Sequence, residues 1–333
     1  METTLAGPKM PRFRDGVRTS IGANVAEVAF GDRRCTFEFS ESDAIAISRL
    51  FEQLKQGGLS SSDLVTHTHE IAAHIPQLLA DFDDLRLLTE SHPASSTGAG
   101  ACSGAQLYRE VRRLAERTVD RVAKSSFYRA LEERRATRAQ LVGYALEYYW
   151  IVMSAPGLIG PALGMAHCAA ERTLLQNFLK SELGHDRFLA VALKAVGVTS
   201  EELALHQPLP ATFALCASLG VYARQHPLSF KACLFLFERA QPAFIDAFDD
   251  CCRALGLPDA FHTPLRAHAD LNDQYDHEDI SRALMEIETV VDAEACAVVK
   301  RHVSIMIETM IQQEEQILSF YGQQRERIPR IFE

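Results

Sequence analysis

The chain has 333 residues, 47% of them apolar and 23% charged, with a formal net charge of −10 at pH 7. That length accommodates two domains and a large core, and the balance is the ordinary one of a soluble globular protein. The acidic excess excludes a general nucleic-acid binder and an anionic-membrane binder, either of which needs a basic face.

The first residues, METTLAGPKMPRFRDG, hold no apolar segment of signal-peptide type, and the basic run MPRFRDGVR reads as a solvated arm. The eight cysteines are scattered singly, apart from Cys251-Cys252, and form no CxxC pair. Zinc ribbons and redox dithiols are therefore not expected, and reduced thiols in a cytoplasmic protein are. The most apolar stretch, LVGYALEYYWIVMSAPGLIGPALGMA, contains Glu147 and two prolines, so it reads as a buried helix and turn and not as a membrane span.

From residue 16 the pattern is that of a small α+β unit. Cys35-Thr36-Phe37-Glu38-Phe39-Ser40 alternates as a strand after a tight Gly31-Asp32 turn. DAIAISRLFEQLKQGG places Ile45, Ile47, Leu50, Phe51 and Leu54 at helical spacing and stops at Gly57-Gly58. SSSDLVTHT opens with cap residues, and a third helical pattern carries Leu78, Leu79, Phe82, Leu85 and Leu88. Two or three strands and three helices make a winged-helix-like domain over residues 1–91. SHPASSTGAGACSGA then has linker composition, and 92–105 is expected to be the linker.

The element order and the patterns FGDRRCTFEFSES, SRLFEQL and LLADFDDLRLL resemble the PqqD-like domains attached to enzymes that modify ribosomally made peptides. The resemblance covers roughly residues 16–91. It implies that a leader peptide binds here by adding a strand to the sheet edge beside a helix. A DNA-binding winged helix is the competing reading, and few cations fall on a candidate recognition helix.

Residues 106–333 read as seven periodic helical stretches and hence as one helical bundle. Within it SELGHDRF sets Glu182 and His185 three residues apart, which on a helix brings both side chains to one side, about 60° apart. Glu238 lies in the apolar run LFLFE, where an ionised carboxylate is costly unless it is paired or metal-bound. HADLNDQYDHED crowds His268, Asp270, Asp273 and His277 together. Carboxylates and imidazoles contributed by separate helices are how di-iron carboxylate sites are built, and such ligands suit iron or manganese. Competing readings are a surface ion pair for Glu182 and His185, a core bond for Glu238, and a solvated helix start for 268–279. Tyr144, Glu147, Tyr148, Tyr149 and Trp150 line either a pocket or the core.

The order SELGHDRFLAVALKAVG, LFLFERA, HADLNDQYDHEDISRAL resembles the haem-oxygenase-like di-iron oxidases and oxygenases, relatives of TenA proteins and of pyrroloquinoline-quinone synthase, over about residues 105–323. The resemblance implies a haem-oxygenase-like all-α bundle, one or two irons, and O2 as co-substrate. Glu182, His185 and Glu238 fall on the family's ligand positions and, with His277, are the expected catalytic residues. The family's His-x-x-x-Asp-x-x-His is not reproduced in either register of 268–279. Asp273 and His277, which share a helix face with Asp270, are the expected ligands there, and His268 and Asp270 compete for a further place. Asn272-Asp273 is a plausible helix cap, which would leave His268 on a preceding loop folded back over the site.

The function expected is an iron- and O2-dependent oxidase or oxygenase that modifies a ribosomally synthesised peptide held by the N-terminal domain. A metal-independent oxidase like the quinone synthase and a non-catalytic peptide-binding adaptor are the alternatives. The expected partners are the precursor peptide and a second copy in a homodimer, with no nucleic acid and no membrane.

Overall fold

The computed structural model describes residues 7–91, 100–121, 125–238, 242–274, 278–323 and 328–332; of residues 119–121, 270–274 and 278–279 it describes the backbone alone. The chain divides into two compact units, Met1–Glu110 with Glu288–Cys296 and Val111–Ile287 with Ala297–Glu333.

In the first unit β1 (Pro11–Phe13), β2 (Arg18–Ile21), β3 (Val25–Phe30), β4 (Arg33–Glu38), α1 (Ala44–Gln56), α2 (Ser61–His67), α3 (Ile75–Asp84) and β5 (Leu88–Glu90) follow in chain order. Strands β2, β3 and β4 form an antiparallel sheet in that order, and β1 pairs with β5. Phe30 faces Arg33 across the Gly31-Asp32 turn, where Gly31 takes φ +62°. A two-residue hairpin loop with positive φ matches the strand twist, so β4 starts two residues before Cys35. Ser60 and Asp63 close a capping box at the start of α2.

Two expectations need correction. Ile45 is exposed while Ile47, Leu50, Phe51 and Leu54 of α1 are buried, so the buried face of the helix begins after Ile45, at Ala46. Helix α3 ends at Asp84, because Arg86 adopts φ 58° and Leu87 N–H turns back to Phe82 O at 2.8 Å. Leu88 thereby leaves the helix for β5 and pairs with Phe13. Phe13, Phe37, Phe51 and Phe82 pack with ring centroids between 5.7 and 6.3 Å apart. Each such tilted or edge-on pair adds about 0.5–1.5 kcal/mol beyond its buried area.

The remaining elements are helical: α4 (Gly104–Arg121), α5 (Ser126–Glu132), α6 (Arg138–Gly164), α7 (Ala169–Glu182), α8 (Asp186–Ala195), α9 (Ser200–Leu205), α10 (Pro210–Gln225), α11 (Pro227–Cys233), α12 (Phe235–Glu238), α13 (Pro242–Ala254), α14 (Asp259–Gln274), α15 (Glu278–Glu286) and α16 (Ala293–Gln316). A π turn over Ile317–Tyr321 follows α16. Several of the seven periodic stretches thus split at turns that periodicity alone does not show.

The unit boundary also differs from the expected linker. Residues 92–99 lie outside the described residues, but 100–105 are ordered by neighbours: Cys102 bridges Val291, and α4 starts at Gly104. The Gln106 side-chain oxygen accepts from Glu90 N–H and the Thr89 hydroxyl, both at 3.0 Å, which ties the start of α4 to β5. Cys102 and Cys296 are buried with their sulfurs 3.1 Å apart.

Helix α6 forms the spine of the second unit. A capping box at Thr137 and Gln140 starts it, and it continues through Pro156 and Pro161. A Cβ on Gly143 would lie 2.2 Å from the Tyr321 ring, so only glycine lets that ring pass. No described helix is long and apolar enough to cross a membrane.

Candidate metal centre

SELGHDRF is not one helix. Helix α7 ends at Glu182, Leu183 is extended (φ −67°, ψ 114°), Gly184 takes φ +92°, and His185 is the N-cap of α8. Glycine reaches that φ without a Cβ clash, so the chain turns there. The turn puts Leu183 at the surface and buries Glu182 and His185, which are 6% and 7% exposed. His185 Nδ1 lies 3.4 Å from Glu182 Oε2. The two residues meet across a turn and not along one helix face, and they are no surface ion pair.

Helix α14 packs against α8 and delivers His268, 2% exposed. Its ring stands edge-on to His185 with centroids 5.0 Å apart. His268 Nδ1 shares a 2.8 Å hydrogen bond with the Tyr148 hydroxyl from α6. The route differs from the one expected: α14 runs unbroken through Pro264 and past Asn272, so His268 sits on a helix and not on a folded-back loop. The side chains of Asp270 and Asp273, and all of His277, lie outside the described residues.

Glu238, 9% exposed, ends α12 with its N–H bonded to Leu234 O at 3.2 Å. It lines, with Glu182, Tyr148 and His268, a cavity of about 200 Å³. Much of the wall is apolar, including Ile151, Val152, Phe178, Leu219 and Phe244. Burial, then Tyr144, Glu238 and Glu182, push the Tyr148 hydroxyl well above its ordinary range, so it stays a neutral phenol.

Further groups on this cavity extend the sequence reading. Of the aromatic run on α6, Tyr144, Glu147 and Tyr148 line the cavity. Glu147 is fully buried and accepts from Tyr321 OH at 2.6 Å and Leu209 N–H at 2.9 Å, with His206 Nε2 at 3.7 Å. Gln313, Glu314 and Cys216 also line it. Burial raises the Cys216 thiol to about 11, which makes it a poor nucleophile. Glu314 was legible in principle, since it follows Ile307 and Met310 at helical spacing on α16.

A second cluster went unread: His167, Cys168 and Glu171, whose ligand atoms lie within 4.8 Å of one another. Buried Lys231 bonds Glu171 Oε1 at 2.6 Å, and His167 N–H bonds Oε2 at 3.0 Å. The carboxylate is thus already neutralised and serves to start α7.

Glu182, Glu238 and His268 line one largely apolar cavity, and buried His185 lies against Glu182 and edge-on to His268, so two carboxylates and two imidazoles are buried in this region. That donor set fits a first-row ion such as iron or manganese and does not suit a thiolate-seeking metal.

No family model matches the chain, and no curated protein matches it either. Solved structures do. A domain of unknown function with a heme oxygenase-like fold from Shewanella denitrificans OS217 superposes with a TM-score of 0.55 at 18% identity, covering 68% of this chain and 97% of the other. A TenA homolog from Pseudomonas syringae pv. tomato DC3000 gives 0.54 at 14% identity, covering 68% and 98%. The fold is therefore a haem-oxygenase-like helical bundle preceded by a small α+β unit with antiparallel strands.

Proposed function

We propose that the chain is an iron-dependent oxidase or oxygenase that modifies a peptide recognised by its N-terminal unit. The observation that carries this reading is that Glu182, Glu238 and His268 line one largely apolar cavity, with buried His185 against Glu182 and His268. These four side chains would hold the metal, and a bound iron would supply O2 activation at open coordination positions. Tyr148 holds His268 in one ring orientation through Nδ1, as partners of metal-bound histidines do. The apolar walls exclude water from the reacting group and fix its position. His277 and Asp273, with Asp270 as alternate, remain candidate ligands, and they decide between one iron and two.

The recognition role rests on the first unit. Strands β2 and β4 are the edges of its three-stranded sheet, and β2 is exposed along most of its length. Such an edge can accept a further strand.

The test is O2 uptake and product mass. Protein loaded with Fe(II) under nitrogen is mixed with synthetic peptides encoded by short reading frames adjacent to the gene, then exposed to air. The reading predicts peptide-dependent O2 uptake and a mass change in one peptide. The same product from metal-free protein would favour the metal-independent oxidase, and tight peptide binding with no product would favour the adaptor.

A further inference from the structure

Cys102 and Cys296 stand 194 residues apart in sequence, yet their buried sulfurs lie 3.1 Å from each other. Both belong to the first unit, which takes in the chain up to Glu110 and again from Glu288 to Cys296. The backbone on either side fixes the contact. Cys102 and Val291 exchange N–H···O bonds of 2.9 and 2.8 Å, and Gly104 N–H reaches Glu288 O at 2.7 Å. The Asp292 carboxylate accepts from Ala295 N–H at 2.8 Å and so caps α16, whose first turns carry Cys296. Gly100, at φ +86°, lets the incoming chain lie close to that helix start, since a Cβ there would come within 3.1 Å of the Ala293 Cβ.

A covalent S–S bond is about 2.0 Å long, so closing it asks for a movement of about 1 Å, a matter of side-chain rotation. Other sulfurs are directed elsewhere: Cys168 Sγ accepts from Glu171 N–H at 3.4 Å, and Cys251 donates to Leu131 O at 3.1 Å. Cys102 and Cys296 are 6% and 4% exposed, which keeps out a bulky disulfide oxidant and leaves a small peroxide as the class of reagent that reaches them.

We infer that Cys102 and Cys296 are a modification site, a dithiol that a peroxide converts to a disulfide. One thiolate attacks a peroxide oxygen and breaks the O–O bond, leaving a sulfenic acid and hydroxide. The second thiolate attacks the sulfenic sulfur and expels a second hydroxide. The two thiol protons turn these hydroxides into water, so the sulfur pair loses two electrons and hydrogen peroxide is reduced to two waters. The bond closes a loop through residues 103–295, which holds Glu182, His185, Glu238 and His268, and removes loop-closure entropy from the unfolded chain. It staples the fold in response to oxidant, and it does not depend on the proposed function.

The test treats reduced, full-length protein with hydrogen peroxide beside a metal chelator, alkylates it in denaturant and digests it without reductant. Two of the eight cysteines should escape alkylation. They should appear as one cross-linked peptide pair carrying Cys102 and Cys296, two hydrogens lighter than its parts. The oxidised protein should melt at least about 5 °C above the reduced protein, and dithiothreitol should reverse both changes. Cys296→Ala treated in the same way should give no linked pair and no rise in its midpoint. The peptide map of the parent decides the matter even where a variant folds poorly. Cys102 and Cys296 left unlinked, or other cysteines linked before them, overturns the assignment. A linked pair with no rise in the midpoint overturns the staple.

Discussion

The phenol of Tyr148 shares its hydrogen bond with His268 Nδ1 at 2.8 Å and is kept neutral by burial and by the nearby Glu238 and Glu182. For His268 to ligate through Nε2, its Nδ1 must carry the proton and the phenol oxygen must accept it. Tyr148→Phe removes that acceptor without removing the ring. Its expected result is about a tenfold loss of Fe(II) affinity with an unchanged far-ultraviolet spectrum, and retention of parental affinity would dismiss the phenol as a positioning group. On the same cavity, burial holds the Glu314 carboxyl above its usual range. The folded state then binds more protons than the unfolded state between the ordinary carboxylate pKa and the raised one. Stability contributed this way is present at low pH and is lost as pH rises through the raised value. Glu314→Gln should therefore melt about 2 °C higher than the parent at pH 7.5, with the gain shrinking towards pH 4.5. Calorimetric scans across that range check it, and a variant that melts lower at pH 7.5 would show a compensated carboxylate.

At the scale of elements, the break between α7 and α8 makes the site. Gly184 at φ +92° is its hinge, and a Cβ there would meet nothing closer than Arg187 Nε at 3.8 Å. The cost of Gly184→Ala is therefore conformational and should be about 1–2 kcal/mol, the penalty of a left-handed backbone for an L-residue. Urea midpoints measure it. A shift below about 0.3 kcal/mol would mean that the turn relaxes freely, and Fe(II) affinity should fall together with stability because Glu182 and His185 flank the turn. The spacing of Glu182 and His185 and the burial of Glu238 were legible in the sequence, since residue type and apolar context set both. The break itself was not: a single glycine in a helical pattern is tolerated often enough that periodicity runs through it. Leu183, which the turn sends to the surface, carried the only further hint. The route of His268 was misread for a related reason. Pro264 and Asn272-Asp273 look like boundaries, yet Pro264 sits inside α14, where it gives up the i to i−4 hydrogen bond to Ala260 O, and the helix continues beyond them all the same. In the first unit, Leu88 fits a helical pattern as well as a strand, and the left-handed Arg86 that decides between them has no compositional signature.

At the scale of the whole molecule, the proposed function assigns recognition and chemistry to different units. Peptide binding and metal binding should then separate. Glu182→Ala should bind an adjacent-gene peptide within about twofold of the parent while losing its product, because tethering acts through local concentration and not through the ligands. Loss of peptide affinity together with the metal would move the binding site into the bundle. The central claim, that the buried Glu–His cluster is a metal centre, is tested most directly by metal analysis of full-length protein loaded with Fe(II) under nitrogen and desalted. The account predicts one to two irons per chain in the parent and loss of most of that iron in Glu182→Ala, His185→Ala, Glu238→Ala and His268→Ala alike. Parental iron content in all four variants would contradict it.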